Sequence, residues 1–346
     1  MTKALLVGDI GGTKTLLRLV DGTTHRTLHE QRYDSKAYAT FGAIVAEFLQ
    51  RARVVPGGID AACFAVAGPV TRTEQKSYVQ TTNLPWFIES DIIAQQFGFA
   101  RVVLLNDFEA VGFGITAVSD EDLVILQNRP RNLTKPKLVI GAGTGLGVSQ
   151  VVPTSNGFSV LPSEGGHLDF APNSEQEIRL LRNTFKEFGH VSYERFVSGP
   201  GLVELFQFCL SDRPPGEDID RAAVASCLNA ADPAAAIAAA YDMINVAREA
   251  VDLFIKLYGA HAGNLALVNL PYGGLYIAGG IAPKMIELLR RGQFLASFHA
   301  KGRMRPLLEA MPVAVVMKPD VGLLGALVAA KASIKTKVSI KAKANI

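Results

Sequence analysis

Cysteine is scarce, with Cys63, Cys209 and Cys227 alone in 346 residues. An odd number so widely spaced indicates neither a disulfide framework nor a cysteine-based zinc cluster, and it fits a reducing compartment, so a cytoplasmic location is expected. Long apolar runs are also missing. Met1 to Asp9 has too short an apolar stretch before its first acid to be a signal peptide. The uncharged stretch between His261 and Lys284 is interrupted by Asn264, Asn269, Pro271 and the pairs Gly273-Gly274 and Gly279-Gly280. No membrane partner is expected.

A nucleic-acid partner is not expected either. The net charge is +3, but Lys331 to Ile346 carries five lysines and no acid, so the rest of the chain carries 3 − 5 = −2. That body lacks a basic face interleaved with aromatics, and the lysine-rich stretch 335–346 reads as a solvated basic tail. Two common nucleotide motifs are absent as well. Gly11-Gly12-Thr13-Lys14-Thr15 does not supply the first glycine of G-x-x-x-x-G-K-[ST], which excludes a Walker-type NTPase. Glycines at 141, 143, 145 and 147 fail G-x-G-x-x-G in every register, because Leu146 and Val148 take the last position. A dinucleotide-binding dehydrogenase is disfavoured.

What is present is an alternating α/β pattern long enough for two cored domains. Ala4–Val7 and Leu16–Val20 read as strands joined through an Asp9–Thr15 turn, followed by a helix with Phe41, Ile44, Val45, Phe48 and Leu49 on one face. A strand at Ala61–Ala67, a helix near Ile88–Phe97, a strand ending at Asn106 and a further helix complete this half. After Asn128–Asn132 the opening recurs, with a strand at Leu138–Ile140, a glycine turn and a strand at Val148–Val152. Helices are expected around Glu175–Phe188, Arg221–Ala230 and Ala234–Tyr258, then strands at Leu275–Ala278 and Val313–Val316 and a last helix at Val321–Ala332. Two related domains facing a cleft are the economical arrangement, 1–116 with 318–334 and 117–317, with hinge strands near Ala117 and Met317.

Both glycine turns suit phosphates, since glycine can adopt positive φ and lets backbone N–H groups approach without a Cβ in the way. The first adds the Asp9 carboxylate, able to hold Mg²⁺ through water, and hydroxyls on Thr13 and Thr15; the second offers Thr144 between glycines. Each alone could be no more than a tight hairpin. Val103-Leu104-Leu105-Asn106-Asp107 delivers an amide and a carboxylate at a strand end, where a catalytic base would sit. Asp107 opening the next helix is also, by itself, an N-cap.

These segments, with Thr82-Asn83-Leu84-Pro85-Trp86, Ser163-Glu164-Gly165-Gly166-His167, Leu168-Asp169-Phe170-Ala171-Pro172, Tyr193-Glu194-Arg195-Phe196 and Ile277-Ala278-Gly279-Gly280-Ile281, resemble the bacterial glucokinase family of the hexokinase, sugar kinase, Hsp70 and actin superfamily. The match runs from Gly8 to the Gly322–Gly325 turn. The resemblance implies a two-domain actin-like ATPase (ribonuclease H-like) α/β fold with the catalytic cleft between the domains. It implies transfer of the γ-phosphoryl group of MgATP to the 6-hydroxyl of glucose, the first step of glycolysis, by a homodimer. Asn106 and Asp107 match the pair that contacts the sugar, Asp107 as base, while Glu164, His167 and Glu194 match the other hydroxyl-binding groups. Asp9, Gly11, Gly12, Thr13 and Lys14 match one phosphate loop, Gly143, Thr144 and Gly145 the other, and Gly279 and Gly280 the adenosine-side turn. Lys14 stands where some members carry Asn. Carboxylate acceptors and an imidazole able to donate are apt for hydroxyls that do both. Trp86 reads as a packing anchor, and Asn83 as a turn former or a loop contact.

The alternatives are a kinase of another hexose, such as mannose or an N-acetylhexosamine, and a non-catalytic sugar-responsive regulator. The sister group of sugar kinases and repressors commonly carries a cysteine-rich zinc motif, whereas here His167 is followed by Leu168-Asp169-Phe170 with no cysteine nearby. A sensor should have lost Asp107, and a filament or chaperone ATPase would not need Glu164, His167 and Glu194.

Overall fold

The computed structural model describes residues 4–343 apart from positions 56, 74, 75, 83, 156 and 214–219, with side chains described as far as residue 334. Asn83 therefore lies outside the described residues. In chain order the elements of the first half are β1 (Ala4–Ile10), β2 (Lys14–Asp21), β3 (Thr27–Asp34), α1 (Phe41–Arg51), β4 (Ile59–Val66), β5 (Thr71–Arg72), β6 (Ser77–Gln80), β7 (Phe87–Glu89), α2 (Ser90–Phe97), β8 (Val102–Asn106) and α3 (Asp107–Ile115). There follow β9 (Leu123–Gln127), β10 (Lys137–Ala142), β11 (Leu146–Thr154), β12 (Gly157–Ser163), α4 (Glu175–Phe188), α5 (Gly199–Ser211), α6 (Arg221–Leu228), α7 (Pro233–Ala239) and α8 (Asn245–Asn269). The chain then runs through β13 (Gly274–Ala278), α9 (Ile286–Arg290), α10 (Gln293–His299), α11 (Arg305–Glu309), β14 (Val313–Val316) and α12 (Val321–Lys343). Two compact units emerge, one of Met1–Ser119 with Asp320–Ile346 and one of Asp120–Pro319.

The first unit is built on a sheet of order β3-β2-β1-β4-β8. β1 and β2 are antiparallel across the glycine turn, and β4 and β8 run parallel to β1. β1 and β4, at the centre of the sheet, are buried along nearly their whole length, as strands covered on both faces must be. α1 packs Phe41, Ile44, Val45 and Phe48 against one face with Leu6, Leu17 and Phe64, and α12 packs Leu323, Ala326 and Ala330 against the other with Leu5, Val7 and Cys63. The register aligns Ile10 with Val66 and Val66 with Asn106, so Asp9 and the Asn106-Asp107 pair leave the same edge of the sheet. Two strand spacings, roughly 10 Å, separate β1 from β8.

The second unit repeats the design with the order β12-β11-β10-β13-β14-β9. Again the first two strands after the opening are antiparallel, here β10 and β11 around Gly143–Gly145, and again parallel neighbours follow, β13 beside β10 and β14 beside β13. Gly141 pairs with Ala278, which brings the Gly143 turn and the Gly279-Gly280 turn to one edge. The duplication seen faintly in the sequence is thus a duplication of sheet topology. The long helix α8 passes through the core, with Leu257, Tyr258, His261 and Leu265 all buried.

Several elements differ from the sequence expectation. The helix expected from Ile88 begins at Ser90, because Phe87–Glu89 pair with Tyr78–Gln80 as an edge strand and bury Ile88 beneath. The helix expected at Ala234–Tyr258 is two helices: Asp232 caps α7, the chain turns at 240–244, and Ile244 (φ −123°, ψ 119°) leads into α8, which runs on to Asn269. The last helix continues to Lys343 rather than ending at Ala332, since the lysine-rich stretch is good helix-forming sequence with no glycine or proline to stop it. β3 was not foreseen because it is a largely exposed polar edge strand without an alternating pattern, held by its backbone pairing to β2. No described helix is long and apolar enough to cross a membrane, and all three cysteines are buried thiols without a disulfide.

Candidate active site

In the first unit the candidate catalytic segment is a β-strand that turns directly into a helix. Asn106, not Asp107, is the N-cap: its Oδ1 accepts from the N–H groups of Phe108 (2.9 Å) and Glu109 (3.3 Å), and Glu109 closes a capping box by accepting from the Asn106 N–H at 3.3 Å. Asn106 Nδ2 donates to the Gly68 carbonyl at 3.1 Å, which ties the cap to the end of β4. The cap therefore consumes the carbonyl side of Asn106 and leaves one amide hydrogen for a ligand. Asp107 is the first helical residue, half-buried, where the helix N-terminus favours negative charge. The capping role that competed for Asp107 belongs to its neighbour.

The glycine loop beside it is held by a residue that no motif singled out. Ser35 Oγ donates to the Gly11 carbonyl at 2.9 Å and lies 3.0 Å from Thr15 Oγ1, while the Ser35 N–H donates to the Thr13 carbonyl at 3.0 Å. Thr15 is fully buried in this knot, so its hydroxyl is structural, whereas Thr13 and Lys14 are exposed and Gly11 and Gly12 half-exposed. Asp9 is open to solvent at its surface, and the protein around it raises its carboxyl above the ordinary carboxylate value by desolvation. A single carboxylate suits a hydrated Mg²⁺ that is also held by substrate phosphates, which needs no all-protein cage. No cluster of three or more metal-ligating side chains occurs among the described residues.

In the second unit the three hydroxyl-binding candidates come together. His167 Nδ1 lies 3.8 Å from Glu194 Oε1, and its Nε2 lies 4.0 Å from Glu164 Oε2. These distances exceed hydrogen bonds, and all three side chains are at least partly open to solvent, so their polar atoms are available to a ligand. Glu194 does more. Its Oε2 accepts from the Leu146 N–H at 2.8 Å, so the carboxylate also holds the exit of the Gly143–Gly145 loop.

Crowding, more than backbone torsion, requires two of the glycines here, Gly145 and Gly166. Gly11, Gly143 and Gly145 all lie outside the left-handed region, contrary to the positive φ expected of the loops. A Cβ on Gly145 would stand 2.6 Å from Glu194 Oε2, and one on Gly166 would stand 1.9 Å from the Leu146 carbonyl oxygen. Gly166 thus makes room for the protein's own backbone, and Gly165 for the side chains of Ser163, Leu265 and Val148. Gly279 does need positive φ, at 83°, and Ile281 N–H donates to Ala142 O at 3.3 Å, which fastens the Gly279-Gly280 turn to β10.

Three supporting groups escaped the sequence reading because burial and partner identity are invisible in one dimension. Arg72 donates to both Glu109 Oε2 (2.6 Å) and the Leu104 carbonyl (3.0 Å), bracing the capping box from β5. Glu109 is buried while Arg72 is nearly half-exposed, so removing the arginine strands a carboxylate. Arg72→Ala is expected to cost about 1–3 kcal/mol of stability, read as a lowered urea midpoint at unchanged m; an unmoved midpoint would show that Glu109 finds solvent. Tyr193 and His261 stack beneath the sugar-binding candidates at 4.1 Å between centroids and 23° between planes. His261 is fully buried with the backbone of Gly165 facing its ring, and burial lowers its pKa to about 4.

The chain is similar to known proteins in sequence and in fold. The glucokinase family model matches residues 6–333. The glucokinase of Trichormus variabilis is 44% identical over 337 residues, covering 93% of this chain and 97% of that protein. The crystal structure of a glucokinase from an Antarctic psychrotroph is similar at a TM-score of 0.77 and 28% identity, covering 95% of this chain and 99% of that one. A ROK family glucokinase from Streptomyces griseus, solved with glucose and AMPPNP, shares the fold at a TM-score of 0.64 and 20% identity, covering 95% and 99%. The fold is the two-domain actin-like fold of sugar kinases. Matched along nearly its whole length by the family model and by a relative of 44% identity, the chain belongs to the glucokinase family.

Proposed function

We propose that the chain transfers the γ-phosphoryl group of MgATP to the 6-hydroxyl of glucose, giving glucose 6-phosphate and ADP. The observation that carries the reading is Glu194: one carboxylate reaches toward His167 with one oxygen and holds the glycine loop at Leu146 with the other. Hydroxyl recognition and phosphate placement therefore share a side chain.

In this reading Asp107 accepts the 6-hydroxyl proton, and Asn106 offers its remaining amide hydrogen to the sugar. Glu164 and Glu194 accept from sugar hydroxyls, and His167 donates or accepts according to its tautomer. The N–H groups of Gly11 and Gly143 close their own turns on the Lys14 and Gly145 carbonyls, so those of Gly12 to Lys14 and of Thr144 and Gly145 cradle the phosphates, and Gly279-Gly280 lies against the adenosine. Asp9 would hold Mg²⁺ through water, and a bound Mg²⁺ supplies charge neutralisation on the phosphates. Alignment and charge stabilisation suffice for phosphoryl transfer, so no covalent intermediate is required. We also propose that the domains are 1–116 with 318–334 and 117–317, and that the protein acts in the cytoplasm, where its three buried thiols stay reduced. The family relationship suggests a homodimer.

The test is ADP release with MgATP against a panel of glucose, mannose, glucosamine, N-acetylglucosamine and no sugar. Turnover with glucose well above the rest is expected. A preference for another hexose would move the substrate, and ADP formation indifferent to sugar would remove the kinase reading.

A further inference from the structure

We infer that His261 is a positioning residue for sugar recognition, setting the Glu164–His167 loop and the Glu194 turn relative to one another from below. This rests on the sugar-kinase reading above. His261, on α8, bears on both segments. One face of its ring stacks on Tyr193, the immediate neighbour of Glu194. The backbone of Gly165, between Glu164 and His167, faces the ring and favours its protonated form, against the larger effect of burial. Leu265, one turn further along α8, would lie 3.3 Å from a Cβ on Gly165, so the same helix forms the floor under that loop.

Stability alone does not account for an imidazole here. The residue is completely buried, and an apolar side chain of similar volume there would avoid the desolvation of two polar atoms. Polar capacity kept at a stability cost beneath a binding loop is the pattern of a functional constraint. The surroundings support the same direction. Tyr193 is fixed at its far end by Asn264, whose Nδ2 donates to the Tyr193 hydroxyl at 3.1 Å, and Asn264 in turn accepts from Lys301 Nζ at 2.7 Å. The stack is therefore held rigidly on one side, and His261 transmits that rigidity to Gly165 on the other.

The experiment compares wild type with His261→Phe, which keeps an aromatic face for Tyr193 and removes both nitrogens, and with His261→Leu, which removes the ring. For His261→Phe we expect an unchanged or raised melting temperature, a sugar KM raised about tenfold as for one lost hydrogen-bond-sized contact, and an unchanged nucleotide KM. His261→Leu should raise the sugar KM further. Hydrogen exchange at 163–168 and 192–196 should quicken in both variants without a change in β10 or β13. Sugar and nucleotide KM rising together, a lowered melting temperature with both constants unmoved, or failure of both variants to fold would each overturn the inference, because they mark His261 as packing. If instead wild type forms ADP without regard to sugar, the underlying kinase reading fails, which the variants are not needed to reveal.

Discussion

Asp107→Asn is expected to lower kcat by about 10²–10⁴, the range for losing a positioned general base, while sugar affinity falls far less. The substitution keeps shape and removes basicity. Asp107 sits at the first turn of α3 with the cap already provided by Asn106, so asparagine at 107 should not disturb the helix start. In the ground state one hydroxyl contact among several weakens, by about 1–3 kcal/mol at most; in the transition state the proton acceptor is gone. Calorimetry for sugar binding and coupled ADP release for turnover separate the two effects. Retention of more than a tenth of wild-type kcat would remove Asp107 from the role of base, and a tenfold or larger loss of sugar affinity at unchanged kcat would make it a binder.

The sequence was informative wherever the physics is local. Strands β1, β4, β8, β10, β13 and β14 announce themselves as apolar runs because both faces of each sheet are covered, and Glu175–Phe188 and Phe41–Arg51 announce themselves through one apolar face. The polar β3 and the three-residue β7 carried no such pattern, being defined by the strands they pair with. The same division holds at the candidate site. Motif residues such as Asp9, Asp107, Glu164 and Glu194 stand out by type and spacing. What a motif residue is bonded to does not: that Asn106 caps α3, that Thr15 is locked to Ser35, and that Gly166 clears the Leu146 carbonyl all depend on tertiary neighbours. His261 was noticed only as one end of an uncharged stretch, since nothing in the sequence marks its stack on Tyr193, a residue 68 positions earlier in the chain.

Glu194 and Glu164 are expected to separate, although both are carboxylates beside His167. Glu164 is 70% exposed on its side chain and its described polar contact is His167 at 4.0 Å, so Glu164→Ala should weaken sugar binding and leave nucleotide binding alone. Glu194→Ala removes a sugar acceptor and also the acceptor for the Leu146 N–H, in a residue that is buried. A charged hydrogen bond to the sugar is worth about 1.5–3 kcal/mol and an unsatisfied buried N–H costs about 1–3 kcal/mol, so the combined loss in kcat/KM should reach about 10²–10⁴. The distinguishing sign is breadth. With Leu146 released, the Gly143–Gly145 loop loses its fixed exit, and affinity for a non-hydrolysable ATP analogue should fall in Glu194→Ala though not in Glu164→Ala. Glu194→Gln, which can still accept from Leu146, should restore nucleotide affinity while sugar binding stays impaired. Calorimetric titration of each variant with sugar and with the analogue decides the matter. If Glu194→Ala weakened sugar binding alone, as Glu164→Ala does, the Leu146 contact would be incidental, and recognition and phosphate placement would not share this side chain.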